Sequence, residues 1–151
     1  AIKYADLSQN PQSLVTFTWD KALSMNGNSA PYLQYAHARI MSVVDKYAER
    51  FPASDLASFP VVVADPLERS LAVAAVGFMD AVSGAGKKFK PNFLADYLYD
   101  LAGRYSAFYQ NLPFLKAPEG VRESRVRLCV IVAKILKQGL TLLGINAPDR
   151  I

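Results

Sequence analysis

Residues 29–50 read SAPYLQYAHARIMSVVDKYAER, and their apolar side chains recur at helical spacing. Ser29, or Asn28 before it, can cap the first amide groups, and Pro31 falls in the first turn, where a missing N–H costs little. The stretch therefore predicts an amphipathic helix that runs to about Arg50 and must bury its apolar face against other elements. The residues of that face are Leu33, Ala36, Ile40, Val43 and Tyr47.

Three further stretches of the chain show the same periodicity. Asp65, Pro66 and Glu68 supply a cap, a first-turn proline and the glutamate of a capping box, so a second helix begins there and ends at residues 83–86. The other two predicted helices run from Pro91 to about Pro113, and from just after Gly120 to a stop at Gly144 and Pro148.

Four amphipathic helices predict an all-α helical bundle, because each apolar face must be buried against another. Residues 51–64 predict a proline-bounded loop with an extended apolar stretch at 61–63. Residues 1–18 are interpreted as a lead-in that contributes no core element, with a short β-prone run at 14–18. The predicted buried faces of the second, third and fourth helices are Leu67, Leu71, Ala74, Phe78 and Val82; Leu94, Tyr97, Leu98, Leu101, Tyr105 and Phe108; and Leu128, Ile131, Val132, Ile135, Leu136, Leu142 and Leu143.

The composition is typical of one globular domain. The chain has 151 residues, of which 52% are hydrophobic and 20% are charged, which is enough to bury a core. Its net charge of +4 suits an anionic partner such as nucleic acid without requiring one. The single cysteine excludes an internal disulfide framework and a cysteine-rich zinc site, and the single histidine argues against a histidine-based metal cluster, so we expect neither a metal nor a cofactor in this chain. No apolar run approaches the roughly 20 residues of a membrane span, so we expect no membrane partner.

The sequence predicts no catalytic residue. It contains no glycine-rich phosphate loop after a strand, no HExxH or GxSxG motif, and no second histidine or cysteine to pair with the first. His37 lies on the first predicted helix beside the apolar face, so a structural or surface role is favoured over that of a general base. Cys129 lies one position from the buried face of the last helix and is expected to be a small, half-buried apolar residue.

Basic residues gather in two places. Lys87, Lys88 and Lys90 surround Phe89 in a predicted loop, a combination that suits phosphate contacts beside a stacked base but is also common in ordinary solvated loops. The last helix adds a basic side, part of which is the usual polar face of an amphipathic helix. Together they indicate a basic surface. The basic residues of the last helix are Arg122, Arg125, Arg127, Lys134 and Lys137.

A second row of side chains lies beside the apolar face of the first predicted helix. Tyr32, Tyr35 and Arg39 lie at i, i+3 and i+7, roughly a quarter turn from the row of Leu33 and Ile40. Tyrosine rings and a guanidinium can stack on, and hydrogen-bond to, the unstacked bases of single-stranded RNA. Tyrosines at the edge of a core can equally bury the ring while the hydroxyl stays in contact with water. The spacing alone therefore leaves both the RNA-binding and the structural interpretation open.

Residues 27–40, GNSAPYLQYAHARI, closely resemble a signature of the arginyl-tRNA synthetase family at the start of its all-helical anticodon-binding domain. The chain departs from the family in three places, of which the mildest is Ser29, where threonine is more frequent and the hydroxyl cap is kept. The segment SRVR at residues 124–127 stands where the family has its DALR run, and only the last arginine agrees; the chain ends in Ile151 where the family usually has methionine. The resemblance covers nearly the whole chain and also includes residues 1–8, 17–23, 97–102, 108–109 and 127–145.

The resemblance implies a fragment of a class I aminoacyl-tRNA synthetase. Residues 1–18 would be the connector from an upstream catalytic domain, and residues 19–151 would form the α-helical anticodon-binding domain. The ATP-binding signatures of the family, a HIGH-like histidine pair and a KMSKS-like lysine loop, are not in this chain. The full-length enzyme would use ATP to join arginine to its tRNA in the cytoplasm, whereas this chain is expected to be inactive alone.

The resemblance also implies which residues contact tRNA: Tyr32, Tyr35, Arg39, Tyr109 and Ile151. The expected partners are the anticodon arm of arginine tRNA and the upstream catalytic domain of the same chain. Two other classes of function remain open. One is a stand-alone helical RNA-binding module without a synthetase, and the other is a protein-interaction module that docks a partner through the tyrosine face.

Overall fold

The computed structural model of the chain describes residues 1–14 and 16–151. These residues contain no β-strand, so the all-α fold is confirmed for the described part of the chain. No helix within it is long and apolar enough to cross a membrane. The helices formed by the described residues are α1 (Ile2–Leu7), α2 (Trp19–Ala22), α3 (Ala30–Arg50), α4 (Pro66–Val76), α5 (Phe78–Lys88), α6 (Asn92–Asn111) and α7 (Val121–Leu142), with a 3₁₀ turn at Leu56–Ser58.

Helix α3 forms as the sequence predicts. Ser29 caps it, because its side-chain oxygen accepts a hydrogen bond from the backbone N–H of Tyr32 at 3.2 Å. The helix ends at Arg50, and all five residues of its predicted apolar face are buried. That face packs mainly against α7 and also against α6, whereas α6 itself packs against α1, α3, α4, α5 and α7 and so lies at the centre of the bundle.

The second predicted helix is two helices, α4 and α5, with a break at Gly77. The capping box at Asp65 is confirmed, but the carbonyl of Ala74 leaves the regular helical ladder and accepts hydrogen bonds from the N–H of Gly77 and, at 2.8 Å, from the hydroxyl of Tyr97 on α6. Burial and the nearby Asp100 carboxylate raise the pKa of Tyr97 to about 12, so this hydroxyl keeps its proton. A side chain distant in sequence therefore stabilises the break.

Two details of the second predicted helix are wrong. The expected stop at residues 83–86 does not occur, because the glycines there are tolerated within α5, which continues to Lys88. Phe89 then ends the helix in a left-handed conformation with φ of 53°. On α4, Glu68 is buried instead of the neighbouring Leu67, which is only half-buried, because the carboxylate has hydrogen-bond partners inside the fold.

Helices α6 and α7 form close to their predicted bounds and pack tightly on each other. At Gly139 of α7, a Cβ atom would lie 2.5 Å from a methyl carbon of Leu98 on α6, so any larger residue would force the buried Leu98 side chain to shift. Ile131 and Leu142 were predicted to be buried, but they are 38% and 52% exposed. Each precedes a buried residue, and neighbours on a helix lie about 100° apart, so a single face cannot hold both members of such a pair.

The N-terminal residues contribute to the core, which corrects the expectation of a lead-in without one. The Tyr4 side chain is fully buried, and its hydroxyl oxygen lies 2.5 Å from Oδ1 of Asn28 and 3.2 Å from the carbonyl oxygen of Ala95 on α6. Burial raises the pKa of this hydroxyl, so it stays protonated and donates. In the β-prone run, Val15 lies outside the described residues, and residues 14 and 16–18 form no strand. That residues 1–18 connect to an upstream domain stays a prediction.

The loop at residues 51–64 is confirmed, apart from its 3₁₀ turn. Its apolar stretch at 61–63 lies against the start of α7. The N–H of Val62 donates to the Ser124 hydroxyl at 2.8 Å, and that hydroxyl donates to the Val62 carbonyl at 3.0 Å. The loop is therefore tied to α7 by a reciprocal pair of hydrogen bonds.

Candidate nucleic-acid interface

Tyr35, Arg39 and Tyr109 meet at the surface between α3 and α6, and we call these three residues the aromatic–arginine cluster. Tyr35 and Arg39 lie one helical turn apart on α3, and Nη2 of Arg39 donates to the Tyr35 hydroxyl at 2.9 Å. The guanidinium carbon of Arg39 lies 4.8 Å from the ring centre of Tyr35 and 5.0 Å from that of Tyr109. Both distances are within the range of cation–π attraction, so the two rings hold the guanidinium in place.

The cluster is open to solvent on one side and supported on the other. Tyr35 is 39% exposed and Tyr109 is 36% exposed. Behind Tyr109, the ring of Phe114 lies 5.6 Å away and the ring of Tyr105 lies 6.0 Å away. Because Phe114 and Tyr105 are buried, the orientation of the Tyr109 ring is fixed by the core.

A groove of about 930 Å³ runs from the cluster to the C-terminus of the chain. Ile151 lies at its edge and is 74% exposed. The side chains that line the groove carry as many carboxylates as cations, so the groove is not a strongly positive channel for phosphate. It suits neutral groups that stack and form hydrogen bonds. Its charged residues are Arg39, Lys46, Arg150, Asp45, Glu49 and Asp149.

Tyr32 lies outside this groove. Its half-buried ring packs edge-on against the ring of Tyr99 on α6, with 5.6 Å between the ring centres. Of the five residues that the resemblance assigned to tRNA, the structure therefore brings four together and places the fifth one turn away on α3. Contact of any of them with tRNA stays a prediction.

Residues 33–151 match the model of the family described as the DALR anticodon binding domain. The chain belongs to this family. It is 44% identical over 151 residues to an arginine–tRNA ligase of Haemophilus influenzae and 42% identical to that of Pasteurella multocida, and each match covers 99% of this chain. It spans about a quarter, 26%, of the length of these curated relatives.

Solved structures give the same assignment for this DALR domain. The arginyl-tRNA synthetase of Thermus thermophilus is similar with a TM-score of 0.87 and 38% identity, over 99% of this chain and 26% of that one. The arginyl-tRNA synthetase of Plasmodium falciparum is similar with a TM-score of 0.80 and 28% identity, with the same coverage. Similarity to both the curated and the solved relatives thus extends to the residues that precede the family match.

The lysine cluster of this DALR domain lies far from the groove. Lys87 and Lys88 form the last turn of α5, so the predicted loop is wrong for these two, and Lys90 follows the helix. Cations in a last turn are favoured by the helix dipole. Nζ of Lys88 lies 4.6 Å from the ring centre of Phe93, which is 16 residues, or about 24 Å of helix, from Tyr109. Phosphate contact by these lysines stays a prediction.

The predicted basic side of the last helix is largely used inside the fold. Nε of Arg125 lies 2.7 Å from Oε1 of Glu68, and Nε of Arg122 lies 2.6 Å from Oε1 of Glu123. Burial opposes ionisation of both glutamates, but hydrogen bonds from these arginines and from backbone N–H groups outweigh it and lower both pKa values. Arg127 donates to the carbonyl of Phe59. The SRVR segment therefore fastens α4 and the preceding loop to α7.

His37 and Cys129 are both buried in the fold. The thiol of Cys129 is fully buried, more than the half-burial expected, and burial raises its pKa, so it stays a protonated apolar group. His37 is 1% exposed, and its Nδ1 lies 3.0 Å from the carbonyl oxygen of Pro148. Sequence reasoning missed this partner, and it missed Phe114 behind Tyr109. Both lie in irregular segments, where no periodicity marks a contact.

Proposed function

We propose that this chain binds the anticodon arm of arginine tRNA as the anticodon-binding part of an arginyl-tRNA synthetase. The aromatic–arginine cluster is the observation that carries the proposal. It combines two half-exposed rings with a guanidinium whose position is fixed, and it belongs to a chain of the DALR family. Stacking surfaces beside a planar donor are what proteins use to read unstacked RNA bases.

The chemistry of the groove favours base contact over phosphate contact. Arg39 has five N–H donors, and its hydrogen bond to the neutral Tyr35 hydroxyl leaves the other donors able to bind base edges. The rings of Tyr35 and Tyr109 offer faces on which bases can stack, and Ile151 offers an apolar contact at the edge. Phosphate contacts would come from other surfaces, including Lys87, Lys88 and Lys90 at the end of α5.

The activity of the whole enzyme would need a further domain. We propose that a catalytic domain of the same polypeptide lies upstream of residue 1 and that the complete enzyme, in the cytoplasm, uses ATP to attach arginine to its tRNA. The chain described here contributes recognition of the tRNA and no adenylate-forming group. If this chain alone catalysed pyrophosphate exchange that depends on arginine, the proposal that the adenylate-forming site lies in the upstream domain would be contradicted.

The test is binding of arginine tRNA by the 151-residue chain at several salt concentrations. We expect an affinity that falls as salt rises, and we expect Tyr35→Ala to weaken binding by about 1 to 3 kcal/mol through loss of a stacked base. The matched control is Trp19→Ala, since Trp19 is also an exposed aromatic residue, at 58%, and lies on α2, away from both the groove and the lysine cluster. Absence of binding at low salt, or equal loss in both variants, would contradict the proposal and favour a protein-docking role for this face.

A further inference from the structure

The last seven residues form a strap that returns from α7 to α3, and we call residues 145–151 the C-terminal strap. Gly144 makes the turn with a φ of +69°, and the N–H of Ile145 donates to the carbonyl of Leu140 at 2.9 Å. The side chain of Ile145 is buried and Ala147 packs against the core. The strap is therefore part of the packed fold.

Alternate residues of the strap are tied to one face of α3. Nε2 of Gln34 donates to the carbonyl of Asn146 at 2.7 Å, and Nδ1 of His37 lies 3.0 Å from the carbonyl oxygen of Pro148. Farther along, Nη2 of Arg150 lies 3.4 Å from Oδ2 of Asp45. The rise along α3 from Gln34 to Asp45 is about 16 Å, close to the roughly 13 to 14 Å that four extended residue steps cover. The strap thus runs alongside α3 in the same direction.

Among these ties the one at His37 is set apart by burial. The exposed pair of Arg150 and Asp45 contributes little in water, whereas the imidazole of His37 is 1% exposed. A carbonyl oxygen can only accept, so Nδ1 of His37 carries the hydrogen. The next strap residue, Asp149, is held from the other side by Nζ of Lys137 on α7 at 3.1 Å. Three residues beyond Pro148, Ile151 lies at the groove.

We propose that His37 is a positioning residue for RNA recognition: its hydrogen bond to Pro148 fixes the C-terminal strap and thereby holds Ile151 beside the aromatic–arginine cluster. This inference rests on the proposed function. His37 lies on the same helix as Tyr35 and Arg39, so α3 positions both these two members of the cluster and Ile151. The groove is complete only while the strap is held.

The first test measures the strap without RNA, by ¹⁵N relaxation of residues 145–151. In the wild-type chain we expect order parameters of about 0.85, and in His37→Leu, which keeps the volume and removes the donor, values below about 0.6 from residue 148 onward. His37→Asn should keep the strap ordered, because the side-chain amide places an N–H near the position of Nδ1. An ordered strap in His37→Leu would overturn the proposal.

Two further variants keep this test decisive if His37→Leu fails to fold. Gln34→Ala removes the neighbouring tie to Asn146 from a side chain near the surface and should loosen the first half of the strap. Gln12→Ala is the matched control, since it removes a glutamine hydrogen bond to Lys90 away from the strap and should leave the order parameters unchanged. Equal effects of the two, or no effect of Gln34→Ala, would contradict the proposal that hydrogen bonds from α3 hold the C-terminal strap.

The second test is a double-mutant cycle on the affinity for arginine tRNA. Deletion of Ile151 and His37→Leu should each weaken binding by roughly tenfold, and the double variant should also lose roughly tenfold because both changes remove the same contact. A hundredfold loss in the double variant, or full affinity in His37→Leu with a mobile strap, would overturn the proposal. If the wild-type chain binds no tRNA, the proposed function fails and the RNA role of His37 fails with it, while the relaxation measurement still decides whether His37 holds the strap.

Discussion

Arg39 and Arg125 lie in the same helical bundle, but their partners give them opposite uses. Arg39 lies between the rings of Tyr35 and Tyr109 and bonds to a neutral hydroxyl. Arg125 donates to the buried carboxylate of Glu68 and to the carbonyl of Pro113, both at 2.7 Å. Aromatic partners hold a guanidinium while leaving its charge uncompensated, whereas a carboxylate neutralises the charge and occupies the donors. The environment, and not the residue type, decides which arginine can bind RNA.

The largest effect should come from breaking the internal pair. Arg125→Ala leaves the Glu68 carboxylate buried without its cation, and removal of one partner of a buried pair typically costs about 3 to 5 kcal/mol of unfolding free energy. Urea denaturation measures this loss. The control is Arg104→Ala, because Arg104 pairs with Asp100 at the surface. Loss of this exposed pair should lower the unfolding free energy by about 1 kcal/mol or less. Equal losses in the two variants would remove the distinction between buried and exposed arginines.

Acid should weaken the same internal pairs. The folded-state pKa values of Glu68 and Glu123 lie below their ordinary value of 4.5, so the two carboxylates stabilise the fold fully above that pH. As the pH falls below 4.5 and through the folded-state pKa values, both are protonated and this contribution is lost. Urea denaturation between pH 6 and pH 3 should show the decline, and Glu68→Gln should reduce its slope. An unchanged slope in Glu68→Gln would show that this pair does not govern the acid response.

The smallest effect is expected at the lysines that end α5. If Lys87 and Lys88 contact phosphates, alanine at either position should weaken binding to every tRNA about equally and reduce the slope of log affinity against log salt by about 1. Binding measured across a salt series gives both quantities. If the slope of log affinity against log salt is unchanged in these variants, Lys87 and Lys88 do not contact phosphate. Their role would then be limited to a favourable interaction with the dipole of α5, and RNA contact would be confined to the groove.

Local sequence signals predicted the helices, whereas contacts between distant residues decided how the side chains are used. The cap at Ser29 and the capping box at Asp65 could be predicted because each depends on residues three or four positions apart. The break at Gly77 could not, because a hydroxyl 23 residues from Ala74 stabilises it. The burial of Tyr4 was missed for the same reason, since one of its partners lies 91 residues away.

The candidate site shows the same division. Helical spacing placed Tyr35 and Arg39 on one face, and resemblance added Tyr109 and Ile151, all of which line the groove. Charge alone suggested that Arg125 belonged to a basic surface, but its partner Glu68 lies 57 residues away and only the folded chain brings the two together. Counting cations in a helical sequence therefore overestimates the surface available to RNA.

If Arg39 reads bases while Arg125 holds the fold, loss of the Arg39 side chain should lower discrimination between anticodons and leave the fold largely intact. Affinities of wild-type chain and Arg39→Ala would be measured in the same salt for an arginine tRNA and for the same tRNA body with a non-arginine anticodon. We expect Arg39→Ala to lose about 1 to 3 kcal/mol of this discrimination while its unfolding free energy changes much less. Unchanged discrimination, with or without a loss of stability, would contradict it.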